Sequence, residues 1–269
     1  MPQSHVNGIM LAFDRTGTGT PLLLLHGGSG RRQTFEPLRR FLADDLEAYA
    51  VDLSGHGGST HTPGRYRLED AAADLSDFIR ARVGRPAVVY GHSFGGHVAL
   101  VLAARYPRAV RAVVIGDAPL SVASTCAAIE RNRVTVTAFR ELAAAGLERA
   151  ELAMRLRVLF GNDSPWAEEA ASLASHDPAF LDAVLEHCAE MHASLDENLL
   201  AKIECSVLLL QGDPQAGALL SSEEVQLARR VGRDIRSERL SGVGHGLHLD
   251  DPKGVADVIN AFVRAVEPR

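Results

Sequence analysis

Six short apolar runs recur along this chain. Each ends in a glycine-rich or polar turn, and stretches of helical periodicity lie between them. The runs are "PLLLLHGG" (Pro21 to Gly28), "LEAYAVDLSGHGGS" (Leu46 to Ser59), "PAVVYGHS" (Pro86 to Ser93), "VRAVVIGDAP" (Val110 to Pro119), "CSVLLLQGDP" (Cys205 to Pro214) and "DIRSERLSGVGHG" (Asp234 to Gly246). Strands that are apolar nearly throughout, rather than alternating, must be covered on both faces, which is the condition of a parallel sheet. The sixth run is more polar and is expected nearer an edge. Between the runs, "LEDAAADLSDFIRARV", "SFGGHVALVLAARYP", "SSEEVQLARRVG" and "DPKGVADVINAFVRAV" carry apolar residues at helical spacing. Alternating strand and helix predict a doubly wound α/β sheet with helices on both faces. The opening "HVNGIMLAFDRTG" reads as a short antiparallel hairpin added at one edge.

The rhythm breaks once. From about Ser121 to Leu200 no strand is legible, and the segment is rich in Ala, Glu and Arg, with Pro165 and Pro178 as punctuation. It is too long for a plain connection. Several helices are expected there, so residues 121–200 form an insertion and residues 1–120 and 201–269 form the core. A chain of 269 residues that is 46% hydrophobic can bury such a core.

Charge and cysteine content narrow the function classes. The net charge is −6, only Lys202 and Lys253 are lysines, and no basic stretch resembles a nucleic-acid footprint. Cys126, Cys188 and Cys205 are odd in number and widely spaced, so thiols are expected rather than a disulfide framework or a metal site. The first residues hold no basic region followed by an apolar core, and no apolar run is long enough to cross a bilayer. A cytoplasmic protein acting on a small molecule is expected, with no nucleic-acid or membrane partner. A homodimer stays open.

The third run ends in Gly91-His92-Ser93-Phe94-Gly95, a G-x-S-x-G pattern between a strand and a helix. There it makes a sharp turn with the serine at its tip, and side chains at the two glycine positions would collide. A serine hydroxyl needs a base to become a nucleophile. Of eleven histidines, His245 falls in the loop after the last strand, at the same carboxyl edge as Ser93; His248 is the fallback. The imidazole needs an acid to hold its tautomer. Asp213 after the fifth run is the first choice, and Asp117 after the fourth competes with it. The N–H groups of Gly28, in "LHGGSG", and of Phe94 are the candidate donors to an oxyanion. Arg31 and Arg32, just beyond that loop, read as solvent-exposed residues at a helix start, with a hold on a substrate carboxylate as the sharper alternative.

With these residues in view, the chain resembles the α/β-hydrolase superfamily. The match is carried by His26-Gly27-Gly28, "DLSGHGGS", the elbow at Ser93, Asp213 and His245, and it covers nearly the whole length. In many members the acid lies a few residues beyond the glycine that ends its strand, whereas Asp213 follows Gly212 directly. That departure keeps Asp117 open. The resemblance implies that the insertion is a helical cap over the site and that the chemistry needs no metal or organic cofactor. It implies cleavage of a carboxylic ester or lactone through an acyl-enzyme. The alternatives are hydrolysis of a carbon–carbon bond in a diketone-like substrate and a non-catalytic ligand-binding protein. Epoxide hydrolases and dehalogenases of this fold use an aspartate where this chain has Ser93. Trp166, Phe160, Met154, Phe139 and Met191 are candidate pocket liners, with packing inside the cap the commoner role.

Overall fold

The computed structural model describes residues 2–161 and 166–266, without the side chains of residues 166 and 167. Eight strands form one sheet: β1 (Gln3–Val6), β2 (Ile9–Gly17), β3 (Thr20–Leu25), β4 (Leu46–Val51), β5 (Ala87–His92), β6 (Val110–Gly116), β7 (Ser206–Gln211) and β8 (Ile235–Arg239). Their order is β1-β2-β4-β3-β5-β6-β7-β8. The hairpin β1–β2 is antiparallel and joins β4 antiparallel; every other pair is parallel. The more polar β8 is the far edge, as its composition predicts.

Among the described residues, twelve α-helices accompany the sheet. They are α1 (Glu36–Arg39), α2 (Leu68–Phe78), α3 (Phe94–Arg105), α4 (Val122–Arg131), α5 (Arg133–Ala144), α6 (Arg149–Phe160), α7 (Trp166–Leu173), α8 (Pro178–Glu186), α9 (Cys188–Met191), α10 (Ser222–Val231), α11 (Leu247–Asp250) and α12 (Pro252–Ala265). Successive side chains of a strand point to opposite faces, and β3 shows the result. Leu23 and Leu25 join a core with Leu75 of α2 and Val98 and Val101 of α3, whereas Leu22 and Leu24 join a second core with Ile259 and Phe262 of α12. Both cores are closed to solvent, which is why these runs carry no polar alternation.

The helix ends follow from local chemistry. Ser221 caps α10 reciprocally with Glu224, and Asp251 caps α12 ahead of Pro252 at its first turn. The helix begun as α2 continues as a π-turn over Ile79–Val83 and stops at Gly84, whose φ of 72° a glycine adopts without strain.

Helices α4 to α9 lie in sequence between β6 and β7. Leu142, Leu152, Leu156, Ala170 and Leu173 form a small core of their own there. The expectation of unpaired thiols fails in this region: Cys126 of α4 and Cys188 of α9 form a disulfide across 62 residues. Sequence spacing gave no hint of it because the pairing depends on how the helices stack. Cys205 is buried just before β7. Among the described residues no helix is long and apolar enough to cross a membrane.

The strand order reverses between β3 and β5. The turn after β3 and the turn after β5 therefore open side by side at the carboxyl edge, where sheets of this kind form a crevice.

Candidate active site

Ser93 stands between β5 and α3 with φ 50° and ψ −117°. Among the described non-glycine residues only Asn7, Ser93 and Asp117 have positive φ, a conformation that persists only where the surroundings hold it. Here they do. The Ser93 N–H donates to the Gly116 carbonyl of the neighbouring β6 at 2.8 Å, and its own carbonyl accepts from the N–H groups of Gly96 and His97 in α3. The flanking glycines are sterically required. A Cβ on Gly91 would lie 2.1 Å from the Gly95 carbonyl oxygen, and one on Gly95 would lie 2.3 Å from that of Leu25.

His245 comes to the serine from the loop after β8. Its Nε2 is 3.2 Å from Ser93 Oγ, and its Nδ1 is 2.7 Å from Asp117 Oδ2. Because the Nδ1–H donates to a carboxylate, Nε2 is left with its lone pair facing the hydroxyl. Asp117 is wholly buried. Burial opposes its charge, but the bond and the charge of His245 and the N–H groups of Leu219 and Leu220 outweigh it and hold the carboxyl below its ordinary range.

The first-choice acid from the sequence, Asp213, does not reach the imidazole. It caps a short 3₁₀ turn, accepting from Gln215 N–H at 2.9 Å and from Gly242 N–H at 2.9 Å. These two N–H groups lower its pKa. The reason is strand order: β6 lies beside β5 and β7 lies one strand further out. A residue at the tip of β6 is thus nearer the elbow. The fallback base, His248, is also elsewhere, buried with its ring 4.6 Å from that of Phe35 and its Nδ1 3.4 Å from Tyr90 Oη.

Two neighbouring histidines serve the backbone. The Nε2–H of His92 donates to the His245 carbonyl at 2.7 Å, and so ties the loop that carries His245 to the elbow. Burial, then the nearby His245, lowers the His92 pKa to about 3, so the ring stays neutral. His26 accepts from the Leu53 N–H at Nε2 and donates from Nδ1 to the Gly27 carbonyl at 2.8 Å. That carbonyl also accepts from the Gly30 N–H. A trans peptide points its N–H opposite its C=O, so pinning the Gly27 oxygen aims the Gly28 N–H the other way. Neither the Gly28 nor the Phe94 N–H has an acceptor among the described residues. Proximity in the "LHGG" and "GHSFGG" motifs was the only sequence sign of His26 and His92.

The loop after β4 buttresses this arrangement. Asp52 is fully buried and holds the backbone N–H and guanidinium of Arg32, together with the Gly58 N–H. Arg32 is therefore buried, contrary to the expectation of solvent exposure. Arg31 is paired with Glu168 of α7 through two bonds of 2.7 and 3.0 Å. His56 and His176 both approach the Gly28 carbonyl, at 3.0 and 2.9 Å, so a residue of the inserted region touches the glycine loop directly.

A cavity of about 280 Å³ opens onto Ser93, Phe94, Gly28 and His245 and is walled by Ile129, Val136, Phe139, Phe180 and Val184 from α4, α5 and α8. Of the candidate liners, Phe139 stands in this wall. Phe160 packs against Phe139, Met191 lies in the main core and Met154 is exposed on α6. The Trp166 side chain lies outside the described residues.

A strained serine at a strand–helix elbow is thus bonded through an imidazole to a buried carboxylate at the carboxyl edge of a doubly wound sheet. Residues 22–258 match the alpha/beta hydrolase family, and the chain belongs to that family. Over 112 residues it is 36% identical to the 2-(acetamidomethylene)succinate hydrolase of Mesorhizobium japonicum, a stretch covering 42% of this chain and 40% of that protein. The chain thus spans well under half the length of that curated relative. A thermophilic esterase from Thermogutta terrifontis, solved with malate bound, is similar over the full length of both chains, with TM-score 0.77 and 26% identity. A solved E-2-(acetamidomethylene)succinate hydrolase shares the fold at TM-score 0.79 and 22% identity over 98% of each chain.

Proposed function

We propose that this chain is a serine hydrolase that cleaves a carboxylic ester or lactone through an acyl-enzyme on Ser93. The observation that carries the reading is the continuous hydrogen-bonded line from Ser93 Oγ through His245 to Asp117. Similarity to an esterase over the full chain supports the choice of bond.

In the first half, Ser93 Oγ attacks the ester carbonyl carbon while its proton passes to His245 Nε2. Asp117 stabilises the imidazolium that forms and keeps Nδ1 protonated throughout. The carbonyl oxygen becomes an oxyanion and takes hydrogen bonds from the Gly28 and Phe94 N–H groups. Each such donor is worth about 10²–10³ in rate. Collapse of the tetrahedral intermediate breaks the ester C–O bond, and His245 returns its proton to the leaving alkoxide. In the second half water repeats the sequence: His245 takes its proton, the hydroxide adds to the acyl carbon, and Ser93 leaves with the proton. In a lactone the leaving alcohol stays joined to the acyl group, so the product is one hydroxy acid. Helices α4 to α9 act in this reading as the cap that shapes the substrate cavity.

The test is covalent labelling by a fluorophosphonate, followed by intact mass. Wild-type protein is expected to gain one adduct, and Ser93→Ala and His245→Ala to gain none. An unlabelled wild type, or an adduct that persists in Ser93→Ala, removes the reading.

A further inference from the structure

The stretch His176 to Phe180, leading into α8, touches the site at more points than a cavity wall needs. His176 Nε2 stands 2.9 Å from the Gly28 carbonyl. The Asp177 N–H donates to the Gly55 carbonyl at 2.8 Å, and its carboxylate accepts from the Tyr66 hydroxyl. The Phe180 ring centroid lies 5.0 Å from that of Phe94. Both candidate oxyanion donors, Gly28 and Phe94, therefore belong to residues in contact with one short segment of the inserted region.

Gly28 needs such support. It has no Cβ to restrict its backbone, so its N–H points where its two flanking peptides are held. The peptide before it is held through the Gly27 carbonyl, by His26 and the Gly30 N–H. The peptide after it is held through its own carbonyl, which among the described residues only His56 and His176 approach. Burial lowers the pKa of both rings, so each is neutral and has one N–H to give. Their four nitrogens face three carbonyl oxygens: His56 those of Ser54 and Gly28, His176 those of Asp177 and Gly28. The Asp177 oxygen already accepts from the Phe180 N–H at 3.0 Å, whereas the Ser54 oxygen has no other donor among the described residues. Polar groups shielded from water are nearly always paired. Two neutral rings pair all three oxygens in one way only. His56 gives its Nδ1–H to Ser54, and His176 gives its Nε2–H to Gly28.

We propose that His176 is a positioning residue for the hydrolysis: its Nε2–H holds the Gly28 carbonyl and, through that residue's backbone, aims the Gly28 N–H at the oxyanion. The inserted helices complete the oxyanion hole as well as walling the cavity. A second tie, Arg31 to Glu168 of α7, fastens the same loop to the insertion. This rests on the reading of Ser93 as nucleophile. A donor aimed in advance acts on the transition state, so its loss falls on kcat more than on KM.

The test compares His176→Phe, which keeps a ring and loses the N–H, with His176→Gln, whose amide N–H can stand near the place of Nε2. Thermal unfolding confirms that each folds, with His176→Leu in place of the phenylalanine if that variant does not. On para-nitrophenyl butyrate, His176→Phe is expected to lose about tenfold in kcat, with KM within about threefold of wild type. His176→Gln is expected to recover kcat to within about threefold. The acid limb of the pH profile of kcat/KM, set by His245, is expected to stay where it is in both. A kcat within threefold in His176→Phe overturns the proposal. So does a glutamine variant as impaired as the phenylalanine one, a loss confined to KM, or a displaced acid limb. A wild type that neither turns over the ester nor takes a fluorophosphonate removes the serine reading itself, which separates the two claims.

Discussion

Replacing Asp117 by Asn tests the site more sharply than removing the serine. The two side chains have nearly the same shape, so the fold is retained. The amide oxygen in the place of Oδ1 can still accept from the Leu220 N–H, at 3.2 Å in the native site, whereas the Leu219 N–H, at 2.8 Å, loses the Oδ2 that it shares with His245. The His245 contact at 2.7 Å changes in kind. An amide NH₂ turned to Nδ1 donates, which moves the ring proton to Nε2. Nε2 then presents a proton to Ser93 Oγ instead of a lone pair, and the base is lost. In the well-studied Ser-His-Asp arrangement this tautomer error costs about 10⁴ in kcat, or about 5 kcal/mol of transition-state stabilisation. Asp213→Asn leaves the imidazole alone, and its kcat is expected to stay within about threefold of wild type, in the range of surface changes. The assay is kcat on a neutral ester beside the fluorophosphonate labelling rate, with thermal unfolding to confirm that both variants fold. If Asp213→Asn is the one that loses activity while folded Asp117→Asn stays within tenfold, the assignment of the acid is wrong.

Four further outcomes follow from the geometry. The folded-state pKa of His92 and His97 is depressed to about 3. Below pH 6.5 the unfolded chain therefore binds protons that the native state refuses, and each costs about 2 kcal/mol by pH 5. The melting temperature is expected to fall by several degrees between pH 7 and 5, and an unchanged value contradicts the neutral-histidine picture. Gly95→Ala forces a Cβ to within 2.3 Å of the Leu25 carbonyl oxygen; a loss of about 3 kcal/mol in denaturant unfolding is expected. The Cys126–Cys188 bridge closes a 62-residue span, so Cys126→Ala with Cys188→Ala is expected to lose up to about 4 kcal/mol, read as a lower urea midpoint with the wild type unreduced. Burial raises the Glu169 carboxyl to about pH 7, so its stabilising, protonated form is present at low pH and lost as pH rises through that value. Glu169→Gln is expected to raise the melting temperature at pH 8 and leave it unchanged at pH 4, below the ordinary carboxyl value.

The sheet was legible because its strands are buried on both faces, and that condition writes itself into sequence as runs such as Leu22 to Leu25. The elbow was legible for a related reason: Gly91 and Gly95 stand where any Cβ would strike backbone, so composition and conformation are tied one to one. The acid was not. An aspartate after a buried strand occurs at both Asp117 and Asp213, and the two differ in the spatial rank of their strands, which chain order does not reveal. The positive φ of Asp117, 44°, is visible only once the chain is folded. The disulfide escaped for the same reason as the acid, since α4 and α9 meet only through the packing of the inserted helices.

Histidine carries the deeper lesson about this site. Eleven occur in the chain, and residue type alone cannot say which is a base. What separates them is the partner each ring finds. His26, His92 and His97 each spend one N–H on a backbone carbonyl, and burial keeps them neutral. Such a ring fixes a peptide plane and makes no hydrogen bond to a carboxylate. His245 alone among them pairs one nitrogen with a carboxylate and the other with a hydroxyl. It can therefore gain a proton from the hydroxyl while the charge that appears is met by Asp117. The buried rings and His245 act together: His92 holds the His245 backbone, and His26 turns the Gly27 carbonyl so that the Gly28 N–H faces away from it. A base can act on Ser93 only if the rings around it do not compete for the proton.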